Sequence, residues 1–156
     1  MRPYLLRVLV SVCVLAAVSA VLAGDNWMGS WKLDVAASRF LTGPAPTAQL
    51  LKIETDTGGI RVSSQIMDAD GKMAQGSYVS SFDGKDVPWT GNPNADTSSA
   101  KRIDANHYEN TWKKEGKATI HTKVVVSSNG KTLTIQHTGT DAKGKRVDNT
   151  EVFRRM

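Results

Sequence analysis

One cysteine, three histidines and no long apolar run are the first facts of this 156-residue sequence. Cys13 stands inside the apolar N-terminal stretch, so the chain after it has no disulfide, no thiol nucleophile and no thiolate metal ligand. The apolar run from Val8 to Leu22 is about 15 residues, short of the roughly 20 that a spanning helix needs. No basic run exceeds two residues (Lys101-Arg102, Lys113-Lys114, Arg154-Arg155). The positive balance therefore reads as a solvated surface, and no nucleic-acid partner is expected. Nucleophile elbows, His-Glu-x-x-His and phosphate-binding loops are all missing. No cofactor or metal is implied, and an enzyme is not expected. There is also no Asn-x-Ser/Thr sequon.

The N-terminus has a pattern of its own. Arg2 and Arg7 precede the apolar stretch, and Val21-Leu22-Ala23 supplies small or permissive residues at its end. That order reads as a cleaved secretory signal over residues 1–23, followed by one domain over 24–156. The domain is expected to be exported, periplasmic or secreted, monomeric and without a membrane span. A retained anchor is the alternative for the signal. Without Arg2 and Arg7, 18 basic residues face 15 acids, a formal charge of +3.

Turn signals recur through the rest of the chain, from Gly43-Pro44-Ala45-Pro46 to Ala142-Lys143-Gly144. Between them lie short segments rich in Thr, Val, Ile and Tyr, several with alternating apolar residues. This predicts an all-β fold, a closed antiparallel up-and-down barrel of about 8–10 strands. Ten strands are expected, at 29–34, 47–55, 60–67, 73–82, 86–90, 97–103, 107–113, 117–127, 132–139 and 146–154. Val35 to Arg39 is the one candidate helical turn.

Some registers follow from turn chemistry. Asn129-Gly130 suits a two-residue type I′ hairpin, which pairs Val126 with Leu133, Val124 with Ile135 and Thr122 with His137. Lys114-Glu115-Gly116 suits a three-residue loop, which pairs Trp112 with Ala118, Asn110 with Ile120 and Tyr108 with Thr122. Together they place Tyr108, Thr122 and His137 in one inward row and turn His121 outward. A three-residue turn after Asp141 sets Asn149 opposite His137 and Phe153 opposite Leu133. A four-residue turn sets Asp148 there instead. The first is preferred, and it predicts a neutral, hydrogen-bonded histidine. Arg102 faces inward only if Asp104-Ala105-Asn106 is a three-residue loop, which the apolar Ile103 beside it opposes. Asn92-Pro93-Asn94-Ala95-Asp96 spaces oxygens like the start of a calcium loop but lacks the later ligands, so a tight turn is expected.

The candidate ligand-binding residues are therefore Tyr108, Trp112, Thr122 and His137, joined by Tyr78 and Trp89. The competing reading is that these groups satisfy one another, or simply pack, inside a filled barrel.

Gly29-Ser30-Trp31-Lys32-Leu33, followed by Ser38-Arg39-Phe40, resembles the first strand of the calycin superfamily, which includes lipocalins and fatty-acid-binding proteins. The resemblance implies that Trp31 plugs one end of the barrel under a late arginine, Arg154 or Arg155, with Arg154 the expected partner. A closer resemblance, to exported bacterial lipocalin-like proteins, covers nearly the whole chain after residue 23. It rests on Gly29 to Phe40, Phe82 to Asp86, Thr90 to Thr97, Lys101 to Asp104 and Gly130 to Thr134. Fatty-acid-binding proteins grip a carboxylate with an arginine two residues before a tyrosine on the last strand. Glu151 and Phe153 stand at those places here, and they cannot bind a carboxylate that way. The two-helix lid of that family is also missing after Trp31. The function these features point to is binding of a small, partly apolar or amphipathic molecule. The alternative is an envelope structural or interaction module with no cavity.

Overall fold

The computed structural model describes residues 25–156, so the expected signal over 1–23, with Cys13, lies outside the described residues. Eleven strands follow in order. They are β1 (Gly29–Leu33), β2 (Arg39–Phe40), β3 (Ala48–Asp56), β4 (Gly59–Met67), β5 (Met73–Ser80) and β6 (Val87–Thr90), then β7 (Thr97–Arg102), β8 (His107–Lys114), β9 (Lys117–Val126), β10 (Thr132–Thr140) and β11 (Arg146–Arg155). From β3 to β11 each strand pairs antiparallel with the next, and β1 closes the circle by pairing with both β3 and β11. Ten strands thus form a closed antiparallel barrel. Closure leaves no edge over that circuit.

The strand missing from the sequence-based expectation is β2. Its two residues pair with Asn149 and Thr150 of β11, beyond the reach of β1. The segment Val35 to Arg39 is not helical. Ala37 N–H and Ser38 N–H donate to the carbonyls of Asp34 and Val35, making one turn that delivers Arg39 directly into β2. Among the described residues no helix is long and apolar enough to cross a membrane.

Side-chain alternation explains why these segments are strands. In β3 the residues Gln49, Leu51 and Ile53 are buried while Leu50, Lys52 and Glu54 are exposed, a period of two with one face inward. The β9–β10 register is the expected one: Val126 faces Leu133, Val124 faces Ile135 and Thr122 faces His137. The turn that sets it differs. Gly130 N–H donates to the Ser127 carbonyl, and Gly130 alone has a positive φ, so the loop runs over 128–131 rather than being a type I′ pair. Both loops conserve the register because each is symmetric about the same centre.

The β8–β9 hairpin corrects a predicted register. Glu115 (φ 51°) and Gly116 (φ 76°) both have positive φ, the signature of a two-residue type I′ turn between Lys114 and Lys117. Thr119 is then an extra residue in β9, a bulge between the pairs Lys113–Ala118 and Trp112–Ile120. The shorter turn and the bulge together move the pairing by two residues from that expected. An even shift keeps every side chain on its predicted face. It changes neighbours, however: Asn110, not Tyr108, faces Thr122, and Tyr108 faces Val124.

The core gathers at one end of the barrel. Trp27, Trp31, Ile53, Ile60, Leu133 and Phe153 are almost fully buried there. Each such side chain contributes about 1.5–3 kcal/mol by leaving water. Trp27, Phe82 and Tyr108 meet ring to ring, with centroids 5.2–6.1 Å apart. Trp31 Nε1 donates to the Trp27 carbonyl at 2.8 Å. The arginine over Trp31 is Arg155, 4.2 Å from the ring centroid. Arg154, the expected partner, instead donates to Asp34 and Thr132 at 3.0 Å each. Alternation explains the swap, since Arg155 pairs opposite Trp31 itself and Arg154 opposite Lys32.

Candidate functional site

The end opposite this plug is hollow. A cavity of about 460 Å³ lies between the sheet walls and opens among the loops that carry Thr42, Gly43, Asn92, Asn94 and Lys145. All six candidate binding residues, Tyr78, Trp89, Tyr108, Trp112, Thr122 and His137, lie on its wall. Trp27 does not; it belongs to the plug.

Four of the six form a continuous row of rings across the wall. Tyr78 and Trp89 have centroids 4.6 Å apart, Trp89 and Trp112 4.7 Å, and Trp112 and His137 5.2 Å, all tilted or edge-to-face. Strand β6, which carries Trp89, is held lightly. It makes two residue pairs with β5 and two with β7, and Pro88 at its centre has no N–H to give.

Asn110 lies on the wall without having been among the six expected residues. It joins Ser98, whose hydroxyl donates to Asn110 Oδ1 at 2.5 Å, to Tyr78, whose hydroxyl accepts from Asn110 Nδ2 at 3.2 Å. All three are buried. Burial pushes the Tyr78 hydroxyl up to about 12, against a smaller opposing effect of hydrogen bonds from Tyr108 and Asn110. Burial first, then the neighbouring Tyr78, raises Tyr108 well above the ordinary tyrosine value. Both phenols are neutral, wall-forming groups at physiological pH.

His137 sits inside with 8% of its surface exposed, and His121 sits outside beside Thr111. Asn149 is opposite His137 and Phe153 opposite Leu133, in the register expected from a three-residue turn. The hydrogen bond expected between the ring and Asn149 is not made. Asn149 Oδ1 is occupied by the backbone N–H groups of Leu41 and Thr42, which it ties down at the cavity mouth. The partner of His137 is Glu151, with Nε2 3.4 Å from Oε2 and the acid side chain 13% exposed. His137 Nδ1 and Trp112 Nε1 are buried with no partner. The sequence carried a signal for Glu151: it is two residues along β11 from Asn149, on the same face.

Two further expectations resolve here. Asp104-Ala105-Asn106 is a three-residue loop, because Ile103 and His107 are joined backbone to backbone across it. Arg102 therefore turns inward at the plug, against the expectation from Ile103, which is the exposed residue. It lies 5.1 Å from the Trp27 ring centroid and grips Asp25 with both Nη atoms. In the Asn92 to Asp96 loop the oxygens point apart. Asn92 Oδ1 accepts from Asn94 N–H, Asn94 Oδ1 from Ala142 N–H and Asp96 Oδ2 from Glu115 N–H. The loop is a folded rim of the cavity, and among the described residues no group of three His, Cys, Asp or Glu side chains could hold a metal ion.

No protein-family model matches the chain, and no curated protein matches it either. Among solved structures it is similar to the zebrafish ileal bile acid-binding protein crystallised with cholic acid. The TM-score is 0.49 at 8% identity, over 84% of this chain and 99% of that one. A likeness at this level carries no argument about what the present barrel binds.

Proposed function

We propose that this chain is an exported binding barrel that holds one small, partly apolar molecule. The observation that carries the reading is the cavity. Its 460 Å³ lies within the usual range of ligand pockets, and apolar side chains such as Leu51, Val62, Ile120, Val124 and Ile135 make up much of its wall. A filled structural barrel has no space above a few waters, so the cavity counts against that alternative. Export is read from the order of residues 1–23, a basic start, an apolar stretch and a small-residue end, and an exported barrel would work in the periplasm or outside the cell. The reading is of a monomeric carrier, not a catalyst. Native mass spectrometry of the protein taken from its own host's envelope tests it. A retained small molecule, identified after extraction, is the expected result. Repeated recovery of empty protein that also ignores a lipid and cofactor panel overturns the reading.

A further inference from the structure

We infer that the cavity selects a ligand whose head is a protonated amine on an apolar body, held by Glu151 and His137 and flanked by the ring row from Tyr78 to Trp112. This rests on the binding reading above and names the ligand class for that same site.

Charge comes first. Among the described residues on the cavity wall, the charged ones are Asp141, Lys145 and Glu151. Asp141 and Lys145 belong to the turn between β10 and β11, where Asp141 Oδ1 is already occupied by the N–H groups of Lys143 and Lys145. Glu151 is the one that stands inside, and neither arginine nor lysine accompanies it there. A carboxylate out of water needs a charge partner or donors. Its protein partner is one histidine nitrogen at 3.4 Å, so the acid has acceptor capacity to spare.

Donor and acceptor count points the same way. In the tautomer that turns Nε2–H towards Glu151, Nδ1 of His137 is an acceptor. That atom is buried and has no partner. Glu151 on one flank of the ring and Nδ1 on the other make this wall acceptor-rich, which suits a group with N–H donors and disfavours a carboxylate. Trp112 Nε1, also unpartnered, leaves room for an acceptor elsewhere on the ligand.

The rings supply the third argument. Trp112 stacks edge-on against His137 and continues through Trp89 to Tyr78. Indole and phenol faces attract cations, most strongly where water is excluded. Tyr78 is neutral, so it offers its ring rather than a competing charge.

Three probes with one apolar tail and different heads make the test: decylamine, decanol and decanoate, titrated into the protein while tryptophan fluorescence is followed. The amine is expected to bind about tenfold or more tightly than either other probe. Glu151→Gln is expected to bring the ratio of amine to alcohol affinity close to one. The comparison of the three probes on the unchanged protein needs no variant to fold. If decanol or decanoate binds as well as the amine, the head-group assignment is overturned while the binding barrel stands. If none of the three binds, both fail together.

Discussion

The guanidinium of Arg155 lies over the indole of Trp31, 4.2 Å from its centroid, and donates to the carbonyls of Asn26, Met28 and Gly130. It ties the segment before β1 to the β9–β10 turn across the closed end of the barrel. A lysine there would keep the charge but lose the planar fork. Arg155→Lys is expected to lower the unfolding free energy by about 1–2 kcal/mol. Arg154→Lys, which touches a surface ion pair, is expected to change it by no more than about 0.5 kcal/mol. Urea unfolding of the two variants decides, and equal losses would refute this assignment of roles.

How much of this was readable in the sequence depended on which quantity a turn controls. Face depends on parity alone. The turn after Lys114 is one residue shorter than its sequence suggests, and the Thr119 bulge restores the parity, so Tyr108, Trp112 and Thr122 still point inward. Neighbours depend on the full register, so Asn110 was missed as the partner of Thr122. Arg102 shows the same dependence on loop geometry. Ile103 is apolar, yet it is exposed, because the loop geometry rather than hydropathy settles which of two adjacent residues faces in. Glu151 stood out in the sequence only as a departure from another family's pattern. Its contact with His137 is diagonal across two strands, which pairing arithmetic does not rank. The hollow itself was not readable, since a cavity depends on how far all ten strands spread.

Gly139 is where the β9 bulge meets its neighbour. Its φ is 142°, and a Cβ there would lie 2.2 Å from the Thr119 carbonyl oxygen. That oxygen is backbone and cannot swing aside. Gly139→Ala is expected to cost about 2–3 kcal/mol by strain and forced displacement of the bulge. Since the bulge sets Asn110 opposite Thr122, the variant should also shift the amide resonances of both residues in an NMR spectrum. A neutral substitution would show that the bulge is not fixed as described.

Asn110 is the hub between the Ser98 and Tyr78 hydroxyls. Replacing it with leucine strands both in a buried place, and about 2–4 kcal/mol of stability should be lost. Removing the stranded groups as well, in Asn110→Leu combined with Ser98→Ala and Tyr78→Phe, should recover part of that loss. A triple variant less stable than the single one would sink the account, because the cost would then lie in packing rather than in unpaired hydroxyls.

Stability should fall in alkali as the two buried phenols are forced to ionise, and the share of Tyr78 can be isolated. Its folded value of about 12 stands above the ordinary 10. Between these two pH values the unfolded chain has released the proton and the folded one has not. Unfolding is then favoured increasingly as pH rises. Two units correspond to roughly 3 kcal/mol, present below pH 10 and lost by about 12. Tyr78→Phe has no such proton, so its stability gap to the parent protein should narrow over that window. Parallel curves from pH 9 to 12 would place the tyrosine in water.

The final prediction separates an anchor from a filler at His137. The ring meets Trp112 edge-to-face, approaches Glu151 at 3.4 Å and leaves Nδ1 without a partner. Its contribution to the fold is therefore divided. Packing against Trp112 stabilises, while the unpaired nitrogen costs about as much as a weak hydrogen bond returns. In His137→Leu the packing is mostly kept and the stranded nitrogen removed, but Glu151 loses its partner. The net change in unfolding free energy is expected to stay within about 1 kcal/mol. Ligand binding should respond differently, because Glu151 loses the neighbour that holds its carboxylate in place for the bound head. Affinity for decylamine is expected to fall about tenfold, the cost of a charged hydrogen bond from the head to a carboxylate no longer held in position. Lost stability with binding unchanged would make His137 a filler of the wall and leave Glu151 to hold the ligand alone.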